Sequence, residues 1–260
     1  MVNLRTYGRA PFGVAVIHGG PGAAGQMAPV ARELARDMGV LEPLQTKRSV
    51  EGQIEELKTV LEASAELPAI LVGFSWGAWL SYLCAAYHPG LVRKLILVSS
   101  APFEERYASG ILQTRLGRLS ADERRQVQSM MDAMKDPDLA DKDELLARFG
   151  RLFTRTDARD PLTLESDELE TSWTIHQSVW GEAAHLRSTG RLLELGRQIA
   201  CPVVALHGDW DPHPAAGVRE PLASILNDFR FLLLRDCGHT PWIEKRAKDA
   251  FYEVLRDQLC

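Results

Sequence analysis

Gly73-Phe74-Ser75-Trp76-Gly77 follows the apolar run Ala69 to Val72 and opens a stretch with helical periodicity. A serine lifted out on a strand-to-helix turn sits in strained backbone, and the residues two positions either side must lack a Cβ atom for the turn to close. Both of those positions are glycine, which makes Ser75 the candidate nucleophile. Short patterns of this kind recur by chance, so the reading depends on what else the chain carries, and in what order.

Three further segments supply that order. Gly13 to Ile17 reads as a strand and ends in His18-Gly19-Gly20-Pro21-Gly22, a loop whose backbone N–H groups can face the elbow. Attack on an acyl carbon creates an oxyanion, and each preorganised donor aimed at it is worth roughly 3 to 4 kcal/mol. The backbone N–H groups of Gly20 and Trp76 are the candidates for the oxyanion hole, and the Trp76 indole is a candidate pocket wall. Downstream, Val203 to Leu206 leads into His207-Gly208-Asp209-Trp210-Asp211, and Phe231 to Leu234 leads into Arg235-Asp236-Cys237-Gly238-His239-Thr240-Pro241. A serine hydroxyl needs a base to take its proton, imidazole titrates in the right range, and a carboxylate behind the ring fixes its tautomer. The order is serine, acid, histidine, with Asp211 favoured as the acid over its competitor Asp209 and with His239 as the base. His213 follows Asp211 by two residues, but a base on the turn that carries the acid would break that order.

These segments resemble the α/β-hydrolase superfamily, and within it the branch of prolyl aminopeptidases (proline iminopeptidases). The resemblance rests on H-G-G-P-G at 18–22, G-F-S-W-G at 73–77, H-G-D-W-D at 207–211 and C-G-H-T-P-W-I-E at 237–244. It covers residues 13–102 and 198–260, and it implies that the acid is the fourth residue of the turn Gly208 to Asp211. It also implies a helical cap between the sixth and seventh strands of the family's sheet, where this chain has residues 103–197. The branch's D-Q-R-G-x-G-x-S loop is absent, its place taken by Val40-Leu41-Glu42-Pro43-Leu44-Gln45-Thr46-Lys47-Arg48-Ser49. Only 12 residues precede the first of these strands, which implies a shortened N-terminal sheet edge.

Apolar runs at 13–17, 38–41, 69–72, 94–98, 202–206 and 229–234 alternate with helix-period segments at 26–37, 50–65, 77–88, 214–226 and 242–258. Such alternation calls for an α/β fold, a mostly parallel sheet flanked by helices. The expected organisation is a core of residues 1–102 and 198–260 with a helical cap of residues 103–197, whose clearest helices are Arg115 to Met134 and Asp141 to Phe153. Pro137 and Pro161 punctuate the cap, and the acidic stretch Glu165 to Glu170 reads as a solvated helix start.

Composition narrows the function classes. The first ten residues contain Asn3, Arg5 and Arg9 without an apolar segment, and no run approaches the length of a membrane span, so a cytoplasmic protein is expected. Four cysteines lie far apart without C-x-x-C spacing, which predicts reduced thiols and no metal site. A net charge of −5 argues against a nucleic-acid partner.

Substrate-binding candidates come from the cap. Trp173, His176 and Trp180 fall on one helix face, and Glu104 and Glu105 follow a strand at its active-site end, where a carboxylate could receive an ammonium group. Residues 103–197 hold 18 acidic against 14 basic side chains, a tilt toward cationic substrates. The expected function is cleavage of a carboxylic ester or amide of a small molecule through an acyl-serine, without cofactor or metal. Prolyl aminopeptidase action on short peptides is the enzymatic alternative, and a ligand-binding protein on a hydrolase scaffold is the alternative of another class.

Overall fold

The computed structural model describes residues 3–136, 138–162 and 171–259, so Pro137 and the acidic stretch Glu165 to Glu170 lie outside the described residues. The strands are β1 (Leu4–Tyr7), β2 (Val14–Ile17), β3 (Val40–Pro43), β4 (Ala69–Phe74), β5 (Val92–Val98), β6 (Val203–Gly208) and β7 (Phe229–Leu234). They form one sheet in the order β1-β3-β2-β4-β5-β6-β7. All neighbours pair in parallel except β1, which runs antiparallel to β3. The helices are α1 (Ala28–Leu34), α2 (Val50–Ser64), α3 (Trp76–Tyr87), α4 (Ile111–Gly117), α5 (Ala121–Met134), α6 (Lys142–Asp157), α7 (Trp173–Ser188), α8 (Arg191–Glu194), α9 (Ala216–Ile225) and α10 (Lys248–Leu259).

Every residue of β2, β3, β4 and β6 is buried, which explains why these strands read as unbroken apolar runs rather than as alternating ones. One face of the sheet packs on α2, α3 and α9 together with Val179, Ala183 and Leu192 of the helical insertion. The other face packs on α1 and α10, through Val30, Leu34, Phe251 and Leu255. A parallel sheet covered on both sides leaves its strand C-termini as the open edge where function can be placed.

Helices α4 to α8 lie between β5 and β6. The strand before them is the fifth rather than the sixth among the described residues, where the single strand β1 precedes β2. The helix expected over Arg115 to Met134 is two helices. The first ends at Gly117, and Ser120 caps the second: its Oγ accepts the Glu123 N–H at 3.3 Å, and the Glu123 carboxylate accepts the Ser120 N–H at 2.8 Å. Leu119, Val127, Met130 and Phe153 then form a small apolar cluster of their own. The last helix begins at Lys248 instead of residue 242, because Pro241–Ile243 is a 3₁₀ turn. Cys84, Cys201 and Cys237 are free thiols, and among the described residues no helix is long and apolar enough to cross a membrane.

Candidate active site

Ser75 joins β4 to α3 with φ 51° and ψ −115°, a conformation that side chains rarely adopt. The flanking glycines answer to specific neighbours. A Cβ at Gly73 would overlap the Gly77 carbonyl oxygen, and one at Gly77 would overlap the Ile17 carbonyl oxygen of β2. The Ser75 N–H donates to Val98 O at 3.0 Å, which ties the elbow to the end of β5.

His239, on the loop after β7, accepts or donates through Nε2 to Ser75 Oγ at 3.1 Å, and its Nδ1 lies 2.8 Å from Asp211 Oδ2. A carboxylate can only accept, so the ring proton sits on Nδ1 and the Nε2 lone pair faces the serine hydroxyl. Asp211 is buried on the turn after β6, and its other oxygen, Oδ1, accepts the His213 backbone N–H at 2.9 Å and the His213 Nδ1–H at 2.8 Å. Burial works to raise its pKa, but His239, His213 and His207 together hold it well below the usual 3.8. Burial lowers the His213 pKa to about 4, so at neutral pH that ring is a neutral donor. It packs against the His239 ring at 4.5 Å.

Asp209 lies outside this arrangement. It is exposed, its Oδ1 accepts the Cys237 N–H at 3.2 Å, and its Oδ2 lies 3.8 Å from Arg235. Among the described residues, Asp211, His213 and His239 also form a group with ligand atoms within 4.8 Å of one another, close enough to hold a metal ion. Both Nδ1 atoms are engaged as donors to the carboxylate, so the arrangement as it stands carries protons between them.

The loop after β2 passes the elbow at Gly19, where a Cβ would meet the Phe74 ring at 2.8 Å, and continues with φ +32° at Gly20 and +83° at Gly22. The Trp76 N–H belongs to the first residue of α3 and has no acceptor within the helix, as is general for a first helical turn. The Trp76 indole departs from its expected use as a pocket wall. It is 1% exposed and its Nε1–H is shared between Gln45 Oε1 and Gln53 Oε1, each at 2.9 Å. An indole N–H buried in a core needs an acceptor, and the two glutamines supply it there.

The insertion touches the site from two directions. At the start of α7 the Ser172 N–H donates to Gly22 O at 2.8 Å, and His176 Nδ1 lies 3.3 Å from Pro21 O. Trp173, His176 and Trp180 do share a face of α7, but as a stacked column that ends on buried Trp79, with Trp180 and Trp79 5.8 Å apart and 6° from parallel. Lys142 Nζ lies 5.6 Å over the Trp173 ring at the outer end of the column, and the His176 pKa is lowered by burial. At the end of α6, the His239 N–H donates to Asp157 O at 2.9 Å. The Asp157 carboxylate takes a bidentate pair from Arg115, at 2.9 and 2.5 Å. Glu244, fully buried, accepts N–H groups from Gly238 at 2.8 Å, Arg159 at 2.7 Å and Asp160 at 2.8 Å.

Glu104 and Glu105, the expected ammonium receptors, lie at the surface with guanidinium partners: their carboxylates accept from Arg106 and Arg187 at 2.9 and 2.8 Å. A cavity of about 480 Å³ lies between α2, α3 and α7, lined by Val50, Ile54, Leu83, Tyr87 and Leu186 among others, and none of the residues around Ser75 contributes to it.

The profile of the α/β hydrolase family matches residues 14–254. A curated relative, the (R)-3-hydroxydecanoyl-ACP:CoA transacylase of Pseudomonas aeruginosa, is 24% identical over 215 residues, or 78% of this chain; the match spans 65% of the relative's length. Among solved structures, VinJ is similar with a TM-score of 0.70 at 20% identity, covering 98% of this chain and 93% of that one. The proline iminopeptidase of Mycobacterium smegmatis is similar with a TM-score of 0.62 at 17% identity, covering 98% and 93%.

Proposed function

The chain belongs to the α/β hydrolase family, and from that premise we propose that it performs hydrolytic or acyl-transfer chemistry, in the first instance cleaving a carboxylic ester or amide of a small molecule through an acyl-Ser75 intermediate. The observation that carries this reading is the continuous hydrogen-bonded line from Asp211 through His239 to Ser75, at 2.8 and 3.1 Å. His239 Nε2 takes the Ser75 proton as Oγ bonds to the acyl carbon, and the carbonyl oxygen, now anionic, faces the N–H groups of Gly20 and Trp76. The imidazolium gives that proton to the leaving group as its bond to carbon breaks. Water, deprotonated by the same nitrogen, then attacks the acyl carbon and releases Ser75. Asp211 stays ionised throughout and stabilises the imidazolium.

Acyl transfer is the second reading, favoured by the name of the curated relative: an acceptor thiol or alcohol would replace water in the final step. Prolyl aminopeptidase action has support from the H-G-G-P-G motif, and in that reading a substrate ammonium group would compete with Arg106 and Arg187 for Glu104 and Glu105.

The test is labelling of the purified protein with a fluorophosphonate, wild type against Ser75→Ala, followed by a panel of p-nitrophenyl esters, aminoacyl arylamides and acyl thioesters with and without an acceptor thiol. Labelling confined to wild type is expected. Absence of labelling in wild type rejects the acyl-serine reading and favours a ligand-binding protein on this scaffold.

A further inference from the structure

We infer that Gln45 is a positioning residue that holds the two oxyanion-facing N–H groups in register. The inference rests on the acyl-serine reading of Ser75, and it begins with the peptide unit between Gly19 and Gly20. That unit is planar, with its carbonyl oxygen and its N–H pointing in opposite directions, so a group that grips Gly19 O also aims the Gly20 N–H. His18 Nδ1 lies 2.8 Å from Gly19 O.

The tautomer of His18 follows from its other nitrogen. Nε2 accepts the Gln45 backbone N–H at 3.1 Å, so the single ring proton is on Nδ1 and is donated to Gly19 O. Burial keeps the ring neutral at physiological pH, with the pKa lowered to about 4. The Gln45 side chain completes the link. Its Nε2–H donates to His18 O at 2.9 Å and its Oε1 accepts the Trp76 indole N–H at 2.9 Å. Reversing that amide would place oxygen against oxygen and N–H against N–H, so the network itself fixes the orientation. Gln45 therefore grips His18 at its ring and at its carbonyl, and Trp76 at its indole. Those two residues stand behind the Gly20 and Trp76 backbone N–H groups respectively. Hydrogen bonding at a peptide carbonyl also polarises the unit and strengthens its N–H as a donor.

Gln53 provides the control. Its Oε1 shares the Trp76 indole at 2.9 Å, but its Nε2–H goes to Lys47 O at 3.0 Å, away from His18.

The experiment compares an ester with its thiono analogue of the same acyl group, because a developing sulfur anion gains much less from donors spaced for oxygen. Ser75→Ala is run first: turnover that survives it overturns the acyl-serine reading itself. Gln45→Met, unbranched and of similar volume, is expected to lower kcat for the ester by roughly ten- to a hundredfold, the scale of a sub-ångström to 1 Å misplacement. KM and the pH profile should stay near wild type, and the ester-to-thionoester rate ratio should fall by a similar factor. Gln53→Met is expected to lower thermal stability comparably while keeping that ratio. A wild-type ratio in Gln45→Met, or in Gln45→Leu should Gln45→Met fail to fold, overturns the role of Gln45. An equal fall in Gln53→Met overturns it too.

Discussion

On one side of Ser75, His213 donates its Nδ1–H to the Asp211 carboxylate; on the other, His18 donates its Nδ1–H to the Gly19 carbonyl. Both rings are buried and both are held neutral, with pKa values lowered to about 4. The parts are alike and the tasks differ. On the proposed mechanism, His213 would steady a full charge while His239 becomes a cation, so its loss would act through the base. His18 would steady a neutral dipole whose far end meets charge only in the transition state, so its loss would act through the oxyanion. The same side chain would then serve proton transfer on one flank and charge stabilisation on the other.

The largest effects lie at the charged flank. Asp211→Asn keeps the shape but would favour the wrong His239 tautomer, and kcat is expected to fall by roughly 10⁴-fold. Steady-state kinetics on a single ester check this, and a fall of less than about tenfold would remove Asp211 from its role.

Acid should weaken both flanks at once. Each of the two histidines takes up a proton near pH 6.5 when unfolded and near 4 when folded. Between those values the unfolded chain binds more protons, so stability rises with pH there and is lost as pH falls from 6.5 toward 4. The expected loss is roughly 2 to 3 kcal/mol per histidine by pH 4.5. Urea unfolding at pH 7 and pH 4.5 measures it, and His213→Phe should reduce the decline by that residue's own share.

That same His213→Phe keeps a ring against His239 but leaves Asp211 Oδ1 with the backbone donor alone. A roughly tenfold lower kcat is expected, the usual scale for losing a supporting hydrogen bond behind a functional group, with partial recovery in His213→Asn. His176→Phe, which preserves stacking and removes the bond to Pro21 O, should lower kcat by about fivefold or less, one net hydrogen bond. The smallest effect belongs to Asp209→Asn, which touches only an exposed loop contact and should leave kcat within about twofold.

What was legible in the sequence was whatever local geometry forces on the chain. The elbow glycines are required by backbone oxygens only a few ångströms away, so Gly73 and Gly77 could be read from spacing. The parallel sheet could be read because strands buried on both faces leave unbroken apolar runs. Gln45 was not legible as part of the site, because its partners His18 and Trp76 lie 27 and 31 residues away and only the fold brings them together. Glu244 was hidden for the same reason: its donors at 159 and 160 belong to the insertion. The split between α4 and α5 was available, since Ser120-Ala121-Asp122-Glu123 spells a capping box inside a helical pattern. For Glu104 and Glu105, charge and position suggested a receptor, while their guanidinium partners, Arg106 and Arg187, were not legible as such.

Glu244 also bears on how such an enzyme can be re-engineered. Insertions between strands are commonly treated as cassettes to be traded between scaffolds for a new substrate range. Here the scaffold's own buried carboxylate draws two of its donors, the N–H groups of Arg159 and Asp160, from inside the insertion, and the third from the residue before His239. A chimera cut at the strand ends would import a foreign backbone at those two positions and leave the buried Glu244 carboxylate with one of its three donors, the residue before His239. A seam that respects these contacts has to lie inside the insertion, with Asp157 to Asp160 and the Ser172 end of α7 inherited as part of the host.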